Sequence, residues 1–395
     1  MDKHMNRIKQ CQNDHPNVSL IMASFSSEDG GCIYVEKQTK FFFGEFGFFN
    51  LSSAYTLLGL STKLYLSRIP TKIKRLGLFS FLDKIIMNFL AYCHAKRFLE
   101  DFRYRDTQKI ICVSEDIISL AVAVRIKKAK PKVSIHFSML DLPWSYPARN
   151  SFKRKLRDNF IQLFTNNVDS ADFTTDEMAS IFYEKGFTGI FMVTYSAIHI
   201  INDVSDAQNI RSPISDVFNA KSNLINAGAL RAGKEFIYFC DFLKDMERTG
   251  TKSYQLDLIG PNKCKHSAVN YLGFIAPKDI AEFLQKYSFG LVSMSFAEYD
   301  DELVLTSFPG KTWLYLSNGI VPIVLAPSSA GVSKLINDYS IGVVIPDVSD
   351  ISTILQGLKW EEEYKKAMAN YKNFQFSLSQ NFKLFRKELS RLNKG

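Results

Sequence analysis

Short apolar runs alternate with longer segments of helical apolar spacing along most of this chain, and the alternation breaks once and restarts. Strands that each feed a helix cannot pair as hairpins, so this pattern predicts parallel sheets covered by helices. In the first half the expected strands are 18–25 (VSLIMASF), 63–66, 109–113 (KIICV), 132–137 (KVSIHF), 170–175 and 191–195. Helices are expected at 78–102, in SEDIISLAVAVRIKKA, at 151–166 and at 176–185. Residues 202–222 are polar and lack any period, which marks a linker. Strands then return at 223–227, 254–259, 269–272, 290–294, 320–325 and 341–345. Helices are expected at 234–248, 277–287, 309–318 and 330–337, and SFAEYDDELVLTS reads as a loop.

A chain of 395 residues exceeds what one core usually organises. The pattern divides it into an α/β domain at 1–201, the linker 202–222, a second α/β domain at 223–360 and a basic helical tail at 361–395 that packs back on the first domain. With 46% hydrophobic and 23% charged residues, disordered and collagen-like architectures are excluded. Six cysteines include no CxxC pair, so a disulfide framework and a structural zinc site are not expected, and reduced thiols in the cytoplasm are the simplest reading. The polar start MDKHMNRIKQCQNDHP has no apolar core of a secretory signal, and no run approaches the ~20 apolar residues of a membrane span.

Five constellations can carry chemistry. GALRAGK (228–234) follows a strand and opens a helix, where glycines and free N–H groups suit a phosphate, and Arg231 and Lys234 add charge. An ordinary glycine turn is the plainer alternative, and the spacing is neither a Walker loop nor GxGxxG. TSFPGK (306–311) places Thr306 and Ser307 as caps before Pro309, with Gly310 and Lys311 at the same helix start. The acidic run Glu298 to Glu302 suits a divalent metal or a sugar's hydroxyls, although a solvated loop is commoner. His136 and Asp141 bracket a strand end, as a proton acceptor or as a satisfied histidine and a turn former. The fifth is basic: Lys72, Lys74 and Arg75, then Arg125 to Lys132, then Arg149 to Arg157. Beside the apolar helix at 78–102, and with a formal net charge of +9, it suits an anionic membrane surface. Nucleic acid is the rival, and no recognition motif supports it.

The fragments GALRAGK, LDLIGP, VNYLGFIAPKDIAEFLQKYSFGLVSMSFAE, FPGKTWLYLSNGIVPIVLA and SIGVVIPDVSD, in that order, resemble the GT-B glycosyltransferases, especially their large retaining group. A Gly-Gly loop after the first strand and ADFTTDEMASIFYEKG extend the likeness into the first half. The resemblance implies two Rossmann-like domains facing across a cleft, with a nucleotide-sugar donor on the second and a glycan or lipid-linked glycan acceptor on the first. Gly30 and Gly31 would approach the donor phosphates, Lys234 would pair with the diphosphate, and the FPGK segment would supply backbone donors. Glu298 matches the first acid of the family's paired-Glu motif, which touches the donor sugar. Leu314 stands where the second Glu, a ribose ligand, is usual, and Ala229 stands where an Arg often follows the first glycine. No cofactor or metal is implied. Asp141 is the candidate base if transfer inverts. The setting implied is bacterial surface polysaccharide synthesis on the inner face of the plasma membrane. A nucleotide-sugar epimerase on the same frame and a non-catalytic scaffold are the alternatives.

Overall fold

The computed structural model describes residues 18–22, 39–40, 42–43, 47–50, 78–100, 109–114, 117–140, 142, 151–195, 197, 221–228, 234–248, 253–261, 263–276, 279–294 and 301–392. The chain divides into two units, 1–194 with 382–395, and 195–381.

The first unit is built on six parallel strands: β1 Val18–Met22, β2 Gly47–Asn50, β3 Ile110–Ser114, β4 Ser134–Met139, β5 Ser170–Phe173 and β6 Ile190–Val193. Their order is β2-β1-β3-β4-β5-β6. The helices α1 Leu78–Glu100, α2 Ile117–Ala129, α3 Ser151–Asn167 and α4 Asp176–Tyr183 alternate with them. Residues of β4 from Ile135 onward and all of β5 are buried, as strands covered on both faces must be. Aromatic side chains fill the space between sheet and helices. Phe164 lies 4.4 Å from Phe182 and 5.3 Å from Phe137, ring centroid to centroid. The start of α4 is set locally: Thr175 accepts from the Met178 N–H, and Asp176 and Glu177 stand in the positive first turn. The expected strand 63–66 falls outside the described residues.

The second unit repeats the plan with β7 Lys221–Ala227, β8 Ser253–Ile259, β9 Val269–Gly273, β10 Phe289–Ser293, β11 Val321–Leu325 and β12 Val343–Ile345. The order is β12-β11-β10-β7-β8-β9, every pair parallel. This is the order of a doubly wound sheet, whose chain direction reverses between β7 and β10. The first strand opens at Lys221, inside the segment read as linker. The helices are α5 Lys234–Arg248, α6 Ile280–Leu284, α7 Asp301–Thr306, α8 Lys311–Ser317, α9 Gly331–Tyr339 and α10 Ile351–Gly357. Three differ from expectation, and one of them, α10, has no counterpart among the expected helices. Of the helix expected at 277–287, the residues from 279 onward are described, and among them the helix runs over Ile280–Leu284. The supposed loop before TSFPGK contains α7, because DELVLT has helix formers and places Val304 in the core.

One last helix, α11 Trp360–Leu392, has 33 residues. Its first turns belong to the second unit, where Trp360 meets Phe289 at 4.7 Å and the Tyr364 hydroxyl donates to Gly319 O at 2.7 Å. From Phe382 it belongs to the first unit. There Phe382 and Phe385 lie 5.7 and 5.1 Å from Phe42.

Candidate functional site

In open parallel sheets a crevice forms at the carboxyl ends of the strands where the chain direction reverses. In the second unit those strands are β7 and β10. They pair at Leu224 with Phe289 and at Ile225 with Gly290, with no pairing beyond those positions among the described residues. The phenol of Tyr315, on α8, occupies the parting. Its oxygen accepts from the Ala227 N–H at 2.7 Å and lies 3.3 Å from both Ile225 O and Leu291 O, to either of which it donates. The ring runs so close beneath Gly290 that an added Cβ would meet it at 2.6 Å, so only glycine fits there. Burial pushes the Tyr315 phenol well above its ordinary pKa, so it stays a neutral donor.

Asn226 lies just before the end of β7 and is fully buried. Its Oδ1 accepts from Lys311 Nζ at 3.2 Å, and its Nδ2 has no partner among the described residues. Ser293 closes β10, also buried, with its hydroxyl unpartnered among those residues. Continuing the register that sets Phe289 beside Leu224 puts Asn226 and Ser293 on the same sheet face. Thr312, beside Lys311, carries a second buried hydroxyl in the same condition. Buried polar groups are almost always paired, so Asn226 and Ser293 at the ends of adjacent strands point to something that binds there.

Lys311 is half-buried and held by its own helix. Trp313 stacks between Phe308 at 5.0 Å and Phe374 at 5.6 Å, and its indole N–H donates to Tyr195 O. The expected caps are corrected here. Thr306 ends α7 and is buried, and Ser307 is half-buried in the connection. Gly310 takes the cap position of α8 and has no side chain to offer. The reason is Phe308, whose burial against Trp313 sets the chain's entry to the helix.

Gly228 follows β7 directly, exposed, with φ +92°, a conformation suited to glycine. Its N–H donates to Ile259 O at 2.9 Å, so β7 and β8 finish side by side there. Lys234 opens α5 as expected, and its side chain lies outside the described residues. Gly30, Gly31, Asp141, Arg231 and Glu298 also lie outside them.

His136 has a different place. It is buried on β4 of the first unit, with Nδ1 2.9 Å from Ser170 Oγ and Nε2 2.9 Å from Asp172 Oδ1. The Ser138 hydroxyl donates to the same Asp172 oxygen at 2.8 Å. Phe43, Phe42 and Phe385 stand at 5.0, 5.9 and 6.2 Å from its ring. With both nitrogens engaged and aromatic rings around it, this imidazole is built into the core and is not available to an acceptor hydroxyl. Within the basic cluster, Lys127 is likewise tied inward, to both oxygens of Asp169 at 2.7 Å and to Asn167 O at 2.9 Å.

A separate depression of about 690 Å³ lies at the end of β9, between Phe274 and α6, lined also by Phe283 and Lys286. It includes none of the orphaned groups. Among the described residues no cluster of His, Cys, Asp and Glu has the arrangement of a metal site.

Asn226 and Ser293 went unnoticed in the sequence. A polar residue at a strand end looks like the start of any turn, and only the strand order brings these two together.

Residues 237–389 match the family model described as the C-terminal domain of glucosyltransferase 3-like proteins. No curated protein sequence matches the chain. Solved structures do resemble it in fold. Apo OtsA aligns with TM-score 0.61 and 12% identity, over 95% of this chain and 99% of that one. The N-terminal domain of Candida albicans trehalose-6-phosphate phosphatase gives 0.56 and 10%, over 96% and 97%. Anabaena Alr3699/HepE in complex with UDP-glucose gives 0.55 and 12%, over 95% and 98%. The chain has the GT-B fold. In GT-B terms, the orphaned polar groups and Lys311 sit at the switch point of the second Rossmann-like unit.

Proposed function

We propose that this GT-B protein is a glycosyltransferase that takes its sugar from a nucleotide-sugar donor, with the donor's pyrophosphate at the carboxyl ends of β7 and β10. The observation that carries this reading is the half-buried Lys311 ammonium held by Asn226 where the two strands part, among buried polar groups lacking protein partners. Transfer breaks the bond between the anomeric carbon and the diphosphate oxygen, and the electron pair leaves on the diphosphate. A fixed cation and neutral N–H and O–H donors stabilise that developing charge in a site partly shielded from water. Lys234, at the start of the 15-residue α5, adds a second cation to the same pyrophosphate. HepE was crystallised with UDP-glucose and with UDP and glucose, which makes uridine donors the first to test.

The finer roles follow from the resemblance. Gly30, Gly31, Gly228 and Arg231 approach the donor phosphates, and Glu298 takes the donor sugar's hydroxyls, as in the retaining group. The first unit receives a glycan or lipid-linked glycan, and Asp141 is the base if the reaction inverts. The setting we propose is bacterial surface polysaccharide synthesis at the cytoplasmic face of the membrane. Supporting it, α1 exposes Phe89 and Tyr92 beside Lys96 and Arg97, and Arg125 lies 5.9 Å over the Tyr92 ring. Among the described residues no helix is long and apolar enough to cross a membrane. Co-sedimentation with anionic liposomes, reversed at high salt, is the expected result, and equal binding to neutral liposomes would remove the electrostatic argument.

Isothermal titration against UDP-, GDP-, CMP- and dTDP-sugars tests the donor reading. One nucleotide class should bind, and Lys311→Met should weaken it. Binding by none of them would sink the proposal.

A further inference from the structure

Of the buried polar residues on the sheet of the second unit, Asp257 is fully partnered, while on the helices Glu235 Oε2 and the Thr312 hydroxyl lack a partner among the described residues. Asp257, on the neighbouring strand β8, is buried and accepts from the Tyr287 hydroxyl at 2.6 Å and from Asn270 Nδ2 at 2.9 Å. Asn226, one strand over and at the carboxyl end, has only half of its amide engaged. Its carbonyl oxygen receives the Lys311 ammonium, and its NH₂ group, fully buried, has no partner among the described residues. A buried amide N–H₂ left unpaired is destabilising, so the arrangement is unfavourable until something else accepts from it.

The residue type matters here. An aspartate would fit the same space and would hold Lys311 more strongly, as an ion pair. It would also cancel the charge that an anionic ligand needs. Asparagine is a neutral acceptor: it orients the ammonium through one end of its amide and adds no charge. Its other end offers two N–H donors to whatever the lysine attracts. The register puts Ser293 on the same sheet face, with its hydroxyl also lacking a partner among the described residues.

We infer that Asn226 is a positioning residue for Lys311 and, through its own NH₂ group, a direct hydrogen-bond donor to the leaving diphosphate, with Ser293 beside it. This rests on the donor reading above and extends it to a residue that neither local motif contains. The ligand atoms it recognises are the phosphate oxygens. The sugar and the base do not enter.

Inorganic pyrophosphate, UDP, GDP, CDP, dTDP and free uridine, titrated into the full-length protein, test this, with unfolding followed in urea. Asn226→Ala should weaken the nucleoside diphosphate that binds, and pyrophosphate, roughly tenfold, the scale of a hydrogen bond to a charged group. Asn226→Asp should weaken both roughly a hundredfold, since it adds a carboxylate beside the phosphates and pairs with the lysine. Any binding of uridine should stay as it was. In the unliganded protein Asn226→Ala should shift the urea midpoint little, because losing the acceptor for Lys311 is offset by removing an unsatisfied buried NH₂ group. A purely structural asparagine would do the reverse, lowering the midpoint and leaving pyrophosphate affinity alone. Asn226→Ser serves if the alanine variant does not fold. Wild-type binding with unchanged affinity in the variants overturns this inference and leaves the donor reading standing. Failure of the wild type to bind any diphosphate or pyrophosphate overturns both.

Discussion

Each unit buries a polar group of four side chains or fewer against its sheet, and the two groups are finished differently. On β4 and β5 of the first unit, His136, Ser138, Ser170 and Asp172 satisfy one another within 2.9 Å and are enclosed by Phe42, Phe43 and Phe385. On β7 and β10 of the second unit, Asn226 and Ser293 are equally buried, yet each has a polar atom with no partner among the described residues. A closed network stabilises its fold and specifies its packing. An open one costs stability, and on the reading proposed above a ligand completes it. Partner satisfaction, rather than residue type, separates the two: read as isolated letters, His136 is the more catalytic-looking residue and Asn226 the blander one.

Four measurements would sharpen or break this contrast. The largest effect belongs to the closed cluster. Asp172→Ala strands one nitrogen of a buried imidazole and the Ser138 hydroxyl, and should cost about 3–5 kcal/mol in urea unfolding while leaving donor affinity unchanged in the folded fraction. A mild loss, or a selective loss of donor binding, would move that cluster into the site. Next come the cations. Lys311→Met and Lys234→Ala should each weaken donor binding by about 1.5–3 kcal/mol with little change in unfolding midpoint. Unchanged titration curves in folded variants would remove them from the pyrophosphate. Tyr315→Phe keeps the ring under Gly290 and deletes the oxygen that accepts from Ala227. It should cost about 1–2 kcal/mol of stability, with a smaller fall in affinity as the strand ends relax. An effect on neither would mean the parting of β7 and β10 does not depend on the phenol.

The smallest effect is on pH dependence. Cys240 on α5 is buried, and burial is the main reason its thiol pKa is pushed up to about 12 from 9.0. The unfolded chain therefore releases this proton first. Stability from this group is fully present below about pH 9 and falls as pH rises towards 12. Native Cys240 should resist alkylation at pH 9 and react on unfolding in urea. Rapid labelling of the native thiol would show that the face of α5 bearing it is not packed.

Much of the frame was legible because it follows from local alternation. The apolar runs at 18, 110, 134, 170, 253, 289, 321 and 343 are strands, and the helix at 234–248 begins and ends where its apolar spacing does. Two local readings failed for physical reasons. Thr306 and Ser307 have the chemistry of caps, but Phe308 is drawn into the core against Trp313, and the cap falls to Gly310. The acidic stretch before them looked like a loop because its charges dominate, although DELVLT propagates a helix once Val304 has a core to enter.

The order of apolar and polar letters determined two parallel α/β units and placed a lysine after FPG, because burial preferences and helical or extended periods act over a few residues at a time. Which strands lie side by side was decided only on folding, by packing between segments far apart in the chain. Asn226 and Ser293 are far apart in the chain, with β8, β9 and two helices between them, and lie on adjacent strands of the sheet. Whether a buried amide finds a partner depends on that neighbourhood, and so does its capacity to bind.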